Sequence, residues 1–221
     1  LMRSSAASDV YKRQHLTLWE GRLWADLAAY YMDTKDQQIS QFAESGLGRI
    51  TVNAGKSRSY GAEAALRASI TDAFSMNASY GYTYATFTDY VVKQKDKDGN
   101  LQDKENYNGN YVPFVPKHTL SLGGQYIFRI NPGHWLDRIQ LNANYTGAGR
   151  IYWTEQNDIS QAFYGTLNGR LSLQKGNGQI DFWVRNALDK DYAAFYFESM
   201  GNGFMQKGRP IQAGIELRCR F

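Results

Sequence analysis

The feature that most constrains the fold of this chain is a two-residue alternation of apolar and polar side chains over long segments. Between residues 74 and 84, apolar or aromatic residues alternate with small and mostly polar ones: Phe74, Met76, Ala78, Tyr80, Tyr82 and Tyr84 against Ser75, Asn77, Ser79, Gly81 and Thr83. Successive side chains of a β-strand point to opposite faces, so this pattern predicts a strand with one apolar and one polar face.

The alternation recurs in seven further segments, which lie at 21–32, 62–70, 119–128, 139–146, 166–173, 179–185 and 211–221. The sequence therefore predicts about eight antiparallel strands. Most approach the roughly 9–11 residues of a tilted transmembrane strand and exceed the roughly 5–6 of soluble sheets. Short turns are expected at 71–72, 131–133 and 176–178, and long polar loops at 93–110, 154–161 and 198–207. Outer-membrane barrels have short turns on the periplasmic side and long loops outside.

Composition separates two kinds of membrane protein. The mean hydropathy is −0.55, and the sequence contains no apolar run of the roughly 18 residues that a membrane-spanning helix needs. A barrel strand shows only alternate residues to lipid, so its average hydropathy stays low. Aromatic residues make up 14% of the chain and include 16 Tyr. Many of them lie near predicted strand ends, as in the aromatic belts of membrane barrels. The interpretation is an all-β, antiparallel transmembrane β-barrel, with a soluble all-β protein as the alternative.

Other function classes find little support in the sequence. A net charge of +4 with scattered Lys and Arg does not predict nucleic-acid binding. Cys219 is the single cysteine, and the three histidines lack metal-ligand spacing. We find no nucleophile elbow or phosphate-binding loop. The sequence therefore predicts no enzyme, catalytic residue, metal site or cofactor.

The first 14 residues, LMRSSAASDVYKRQ, differ from the rest of the chain. They lack the apolar centre of a signal peptide, and they resemble translated sequencing-adaptor sequence. We expect residues 1–14 to be non-native and residues 15–221 to form the barrel portion of a protein whose N-terminal part precedes it.

Four motifs resemble the C-terminal strands of TonB-dependent outer-membrane receptors. They are NAGKSRSYGAE at 53–63, YVPFVPKHTLSL at 111–122, VRNALDKDY at 184–192 and GRPIQAGIELRCRF at 208–221. Each motif is weak alone, but their order, their spacing and the position of the last at the chain end are fairly specific. The resemblance implies that this chain supplies about eight C-terminal strands of a barrel of about 22.

The resemblance also implies a function. Members of the family are outer-membrane receptors that take up a bulky solute such as an iron chelate, cobalamin or a glycan, with siderophores the most frequent. An N-terminal plug domain and a short box that contacts the TonB complex would lie in the preceding region. Two alternatives remain, a self-contained small outer-membrane barrel and a soluble structural or adhesive protein. A self-contained barrel would pair the strand at Leu23–Met32 with that at Pro210–Phe221.

Two sets of residues are candidates for specific roles. Ile215, Leu217 and Phe221 resemble the terminal-strand signal that the barrel-assembly machinery reads. An unpaired strand edge can add to the sheet of that machinery by β-augmentation. The alternative is that Phe221 is simply the last lipid-facing anchor, and both roles can hold together. Charged residues on polar strand faces are candidates to line the lumen: Asp26, Glu63, Arg67, Asp181, Arg185, Glu216, Arg218 and Arg220. They could line the permeation path or contact the plug, or they could form ion pairs on a solvated wall, with Asp181 and Arg185 as the expected pair.

Overall fold

The computed structural model describes residues 6–35, 38–42, 49–53, 55–95, 101–131, 133–199 and 201–220, and these residues fold as antiparallel β-structure. In chain order the strands are β1 (Ala6–Leu18), β2 (Leu23–Lys35), β3 (Gln38–Phe42), β4 (Arg49–Asn53), β5 (Lys56–Ser69), β6 (Phe74–Asp89), β7 (Val91–Lys95), β8 (Leu101–Asn106), β9 (His118–Arg129), β10 (Arg138–Ala148), β11 (Ile151–Tyr152), β12 (Ser160–Gln161), β13 (Tyr164–Lys175), β14 (Gly178–Arg185), β15 (Ala193–Ser199), β16 (Asn202–Lys207) and β17 (Gln212–Cys219). Across these ranges, none of the structure is a helix of the length and apolarity that a membrane crossing requires.

Nine of the strands form one antiparallel sheet, in which each strand pairs with the next in the order β1-β2-β5-β6-β9-β10-β13-β14-β17. The eight predicted strands are all present in it. Sequential pairing of this kind is the simplest antiparallel connection, because each strand turns back beside its predecessor.

The register of the sheet confirms the predicted faces. One row of paired residues crosses six strands and is apolar or aromatic throughout: Phe74, Tyr126, Leu141, Leu171, Phe182 and Ile215. The adjacent row is largely polar: Ser75, Gln125, Asn142, Arg170, Trp183 and Gly214. We call these the apolar face and the polar face of the sheet.

Side chains of the apolar face are open to the surroundings. Leu141 is 50% exposed, Ile215 is 65% exposed and Leu217 is 75% exposed. In a β-sandwich such residues would be covered by a second sheet. A continuous exposed apolar surface of this kind marks contact with a membrane or another protein.

The connections sort by side as predicted. Short turns at 19–22, 70–73, 130–137 and 176–177 join strands at one edge, which we call the short-turn edge. Long connections lie at the opposite, long-loop edge, and each carries its own hairpin: β3-β4, β7-β8, β11-β12 and β15-β16. The first of these, after β2, is an addition to the three loops predicted from the sequence. β17 ends at the short-turn edge, where Cys219 pairs with Gly178.

Strand β1 makes the sheet one strand larger than the sequence predicted. It pairs with β2 over its whole length, and Leu16 and Leu18 continue the apolar face. Lys12 and Gln14 lie on the same face, opposite Ala29 and Leu27. Polar residues on a lipid-facing surface are unfavourable. Residues foreign to the native strand would produce such a mismatch. That residues 1–14 are non-native stays a prediction.

Both outer strands of the sheet have one open edge. Within the described ranges, β1 pairs only with β2 and β17 pairs only with β14. The pairing between β2 and β17 that a self-contained eight-stranded barrel requires is therefore not formed among these residues.

The face assignment predicts opposite outcomes for two lysine substitutions. Ile215→Lys or Leu217→Lys should lower the free energy of unfolding in bilayers by about 2–4 kcal/mol if the site lies near the midplane, because a charge is placed in hydrocarbon. Gln140→Lys, on the polar face beside Ser172, should be nearly silent. Urea titration of the protein in lipid vesicles measures both. Equal tolerance of the substitutions would contradict the assignment.

Candidate lumen wall and outer loops

The predicted lumen residues within the membrane strands all lie on the polar face. Most of their paired partners are small, polar or charged: Asp26 faces Ala65, Glu63 faces Gly81, Arg67 faces Asn77 and Trp24, Asp181 faces Ser172 and Glu216, Arg185 faces Gln212, and Arg218 faces Gln179. The strands thus place these side chains on one wall. Their functional roles stay predictions.

Four charges on β13, β14 and β17 form one cluster. Asp181 is fully buried, and its Oδ2 lies 3.4 Å from Nη1 of Arg170 and 3.7 Å from Nε of Arg218. Glu216 joins the same two arginines, at 3.3 Å from Arg170 and 2.8 Å from Arg218. Two carboxylates and two guanidinium groups balance, so the cluster is a neutral, cross-linked part of the wall.

Hydrogen bonds complete the environment of Asp181. Gln179 Nε2 donates to its Oδ1 at 2.8 Å, and the Ser172 side chain is also hydrogen-bonded to it. A buried carboxylate is tolerated when its oxygens are saturated in this way, because each unmet acceptor would carry a desolvation cost. The cluster therefore stabilises the joint between the last three strands.

The prediction that Asp181 and Arg185 form an ion pair is wrong. Four residues along one strand span about 13 Å, whereas cross-strand neighbours lie about 5 Å apart. Asp181 consequently pairs with Arg170 and Arg218 on the adjacent strands. The guanidinium carbon of Arg185 instead lies 5.2 Å from the centroid of the Trp183 ring, a cation–π distance. Gly214 gives that ring room, since a Cβ there would come within 2.5 Å of it.

The other predicted lumen charges lie apart from this cluster. Asp26 contacts His15 Nδ1 and lies 3.7 Å from Nη2 of Arg13, both on β1. Glu63 and Arg67 are exposed on β5 and form no ion pair in the described part of the chain. The wall therefore carries one compact charge cluster and several separate, solvated charges.

Two of the three predicted assembly residues lie on the edge strand β17. Ile215 and Leu217 are on its apolar face, as expected for lipid contact. Phe221 lies outside the described residues, so its predicted role stays a prediction.

Arg170 and the amides of the polar face are functional candidates that were not predicted from the sequence. Asn142, Asn144 and Asn168 lie on neighbouring positions of β10 and β13, beside Arg170. The signal was available, because all four belong to the polar series of the alternation. What the alternation does not contain is the cross-strand register that brings Arg170 to Asp181.

The VRNALDKDY and GRP motifs meet at the long-loop edge. Asn186 is buried, and its side-chain Nδ2 donates to the carbonyl oxygens of Lys190 at 3.1 Å and Arg209 at 3.0 Å. Oδ1 of Asp189 accepts from the backbone N–H of Ile211 at 2.9 Å. The Tyr192 ring lies against Gly208, where a Cβ would come within 2.2 Å of it. These motif residues join the end of β14 to the start of β17.

Two of the long connections are fastened together by one asparagine. Asn157 has a φ of 62°, a left-handed conformation that Asn tolerates better than most residues. Its Oδ1 accepts from the N–H of Tyr111 at 2.6 Å, and its Nδ2 donates to the carbonyl of Tyr111 at 2.9 Å. Asn110 Nδ2 adds a bond to the Glu155 carbonyl at 2.7 Å. The 90–117 and 149–163 connections are therefore held in one arrangement at these positions.

A small aromatic core supports the 90–117 connection. Phe87, Tyr90 and Tyr107 are buried together, with Val92 and Val112 packed against them. Burial raises the pKa of Tyr90 to about 12, with smaller contributions from Glu155 and Glu105. The long polar loop predicted at 93–110 thus has a packed base. Its residues 96–100 lie outside the described ranges.

Comparison with known proteins places these features in a family. The sequence model of the family described as TonB dependent receptor-like, beta-barrel matches residues 12–187. The pesticin receptor of Yersinia pestis is 25% identical over 197 residues, which cover 88% of this chain and 26% of the relative. The metal-pseudopaline receptor CntO of Pseudomonas aeruginosa is 28% identical over 210 residues, covering 93% of this chain and 26% of the relative.

A solved structure shares the fold. The ferric yersiniabactin uptake receptor FyuA from Yersinia pestis superposes with a TM-score of 0.76 at 20% identity, covering 97% of this chain and 30% of that protein. The chain thus spans about a quarter of the length of the curated relatives that it matches.

The charge cluster makes a stability prediction. Asp181→Ala should lower the free energy of unfolding by about 2 kcal/mol, because two half-exposed arginines and two hydrogen-bond donors lose their shared acceptor. Glu63 is an exposed carboxylate on the same face, and Glu63→Gln should change the free energy of unfolding by less than about 0.5 kcal/mol. Urea unfolding in lipid or detergent measures both. A silent Asp181→Ala would show that the cluster contributes nothing to the joint.

Proposed function

Because this chain belongs to the TonB-dependent receptor-like β-barrel family, we propose that it forms part of an outer-membrane receptor that imports a bulky metal chelate. The observation that carries the proposal is the family match over residues 12–187. The relatives of this chain are named as receptors, one of them for metal-pseudopaline and one for uptake of ferric yersiniabactin. A transport receptor, rather than an enzyme, is the role that this fits.

The chain would supply one sector of a larger barrel. The open edges of β1 and β17 support this proposal, because a membrane barrel must pair every strand edge to satisfy its backbone hydrogen bonds. In a barrel of about 22 strands, the lumen is wide enough to hold a plug domain. We assign the plug, and the segment that engages the TonB complex, to the region preceding this chain.

The two faces would then have separate partners. The apolar face would contact outer-membrane lipid, and the open edge of β17, with Ile215, Leu217 and Phe221, would be presented to the barrel-assembly machinery during insertion. The polar face would line the aqueous path, where Asn142, Asn144 and the solvated charges Glu63 and Arg67 meet water, plug or solute. Their hydrogen-bonding groups suit a hydrated, polar cargo.

The long-loop edge would face the outside and receive the solute. Loops that are held together by side-chain hydrogen bonds present their binding groups in a fixed arrangement, which lowers the entropic cost of binding. Asn157 is a positioning residue in this scheme, since it holds two of the loops.

The test uses the complete reading frame that contains this chain, expressed in a bacterium that lacks its own siderophore receptors. Uptake of radiolabelled ferric chelates should require both the receptor and the host's TonB complex. Asn157→Gly keeps the left-handed backbone but loses the bonds between the loops. It should raise the half-saturating chelate concentration about tenfold, equivalent to about 1.4 kcal/mol, with unchanged receptor abundance in the outer membrane.

Ser160→Ala, an exposed change in the same loop, is the matched control and should transport normally. Absence of uptake for every metal chelate tested, or uptake that persists without the TonB complex, would contradict the proposed function.

A further inference from the structure

The polar face carries a concavity whose lining is rich in amide groups. Its volume is about 830 Å³, within the roughly 300–1,000 Å³ of sites that hold small molecules. Six strands contribute to it, from β5 to β14, and five of its lining side chains are amides: Asn77, Gln125, Asn142, Asn144 and Asn168. Among the described residues that line it, none is Asp or Glu. We call this concavity the amide patch.

The pairing of the strands brings the amides side by side. Asn77, Gly123, Asn144 and Asn168 are successive partners across four strands. Gly123 leaves room in this row, because a Cβ there would come within 2.4 Å of Oδ1 of Asn77. Each amide has two N–H donors beside its oxygen acceptor. The patch can therefore donate hydrogen bonds to several oxygen atoms of one solute.

Two arginines at the patch have no carboxylate to neutralise them. Arg170 belongs to the neutral cluster described above, but neither Arg67 nor Arg185 forms an ion pair within the ranges that the structure describes. Both are exposed. Arg185 lies over the Trp183 ring, and this arrangement leaves the other side of its guanidinium group open. The amide patch is therefore positively charged.

The positive charge continues toward the short-turn edge. Gln125 lines both the amide patch and an adjoining concavity of about 490 Å³ that includes Arg129. Arg129 is paired directly opposite Arg138, and like charges in such positions repel each other. Asp72, which also lines the adjoining concavity, pairs with Arg22 at 3.8 Å. Because no described carboxylate pairs with Arg129 or Arg138, an anion beside them would relieve their repulsion.

The polar face has a different charge elsewhere. A third concavity, of about 370 Å³, is lined by Asp26 and Glu63. Glu63 precedes Arg67 by four residues on β5, on the side of the long loops. Carboxylates and unneutralised arginines are thus separated on the wall. This separation favours a ligand of one charge sign at the amide patch.

From this charge and shape we propose that the amide patch is a binding site for an anionic, oxygen-rich solute, namely a metal chelate that carries free carboxylate groups. Arg67 and Arg185 bind carboxylates from opposite ends of the patch, since the planar guanidinium group matches the two oxygens of a carboxylate. The amides between them donate to other oxygens of the solute. Arg129 and Arg138 provide the next contact toward the short-turn edge. The inference rests on the proposed function and narrows its cargo to chelates of net negative charge.

The test uses the full chain in phosphatidylcholine bilayers, with mellitate, a benzene hexacarboxylate, as the probe and titration calorimetry as the measurement. Arg67→Gln and Arg185→Gln should each weaken the Kd about fivefold, equivalent to about 1 kcal/mol. The double variant should weaken it about 25-fold, since the effects of separate sites add in free energy. Lys175→Gln is the matched control. Asp137 already neutralises this lysine at 2.8 Å, so the Kd should stay unchanged.

A second substitution tests the sign of the charge directly. Asn144→Asp keeps the size of a side chain that lines the patch and adds a negative charge. Mellitate should bind this variant about tenfold more weakly, because the new carboxylate repels it. The uncharged hexamide of mellitate should bind far more weakly than mellitate to the unmodified chain.

The outcomes separate this proposal from the proposed function. A chain that inserts but binds mellitate equally well with and without the two arginines, or binds the hexamide as tightly, contradicts the anion site alone. Tighter binding of a tetraglutamate peptide than of mellitate would assign the patch to a polypeptide segment and also contradict the solute site. A chain that fails to insert contradicts the membrane placement and the site with it. Stepwise loss in the arginine variants, with an unchanged control, is the expected result.

Discussion

The structure depends on one requirement, that a polypeptide in hydrocarbon must satisfy its backbone hydrogen bonds without water. The nine-stranded sheet does so by continuous pairing, and its one shift of register lies between Lys56 and Ser57, at the long-loop edge. Inside the band the ladders are regular. The side-chain alternation follows from that regularity, because a strand without a bulge keeps every second residue on the same face.

Outside the ladders, side chains form hydrogen bonds with backbone N–H and carbonyl groups that no neighbouring strand pairs. Asn157 bonds both the N–H and the carbonyl of Tyr111, and Asn186 does the same for Lys190 while reaching Arg209. Asparagine suits this task, since its amide resembles the peptide group and tolerates left-handed backbone angles. The loops at the long-loop edge are therefore shaped by specific amides at the points where strand pairing ends.

The sequence predicted the eight strands and their faces, because period-two alternation is a local signal. It did not predict that Arg170 contacts Asp181, since cross-strand register depends on how the turns close. For the same reason the spacing of Asp181 and Arg185 was misleading. Two residues four positions apart on one strand are farther from each other than from their neighbours on the adjacent strands. Strand β1 was missed because its residues up to position 14, with Lys12 and Gln14 on the apolar face, lack the pattern by which the other strands were found. The loop contacts of Asn157 likewise join residues 46 positions apart.

The family and the geometry support one account, in which a single sheet separates lipid from an aqueous path and the charge cluster around Asp181 braces the last strands. The seven predicted lumen charges in the strands share the polar face, but they divide into a neutral cluster and solvated residues. That division suggests separate roles: bracing for Asp181, Glu216 and Arg218, and contact with water or solute for Glu63 and Arg67.

The most direct test of the central claim is a scan of nitroxide labels along β10. Each residue from Ile139 to Thr146 is replaced in turn by a labelled cysteine, in a chain that carries Cys219→Ser and is reconstituted in lipid bilayers. Collision with oxygen, which dissolves in lipid, should peak at 139, 141, 143 and 145, and collision with a water-soluble nickel complex should peak at the residues between them. Two profiles that rise and fall together, or that lack a two-residue period, would contradict the account.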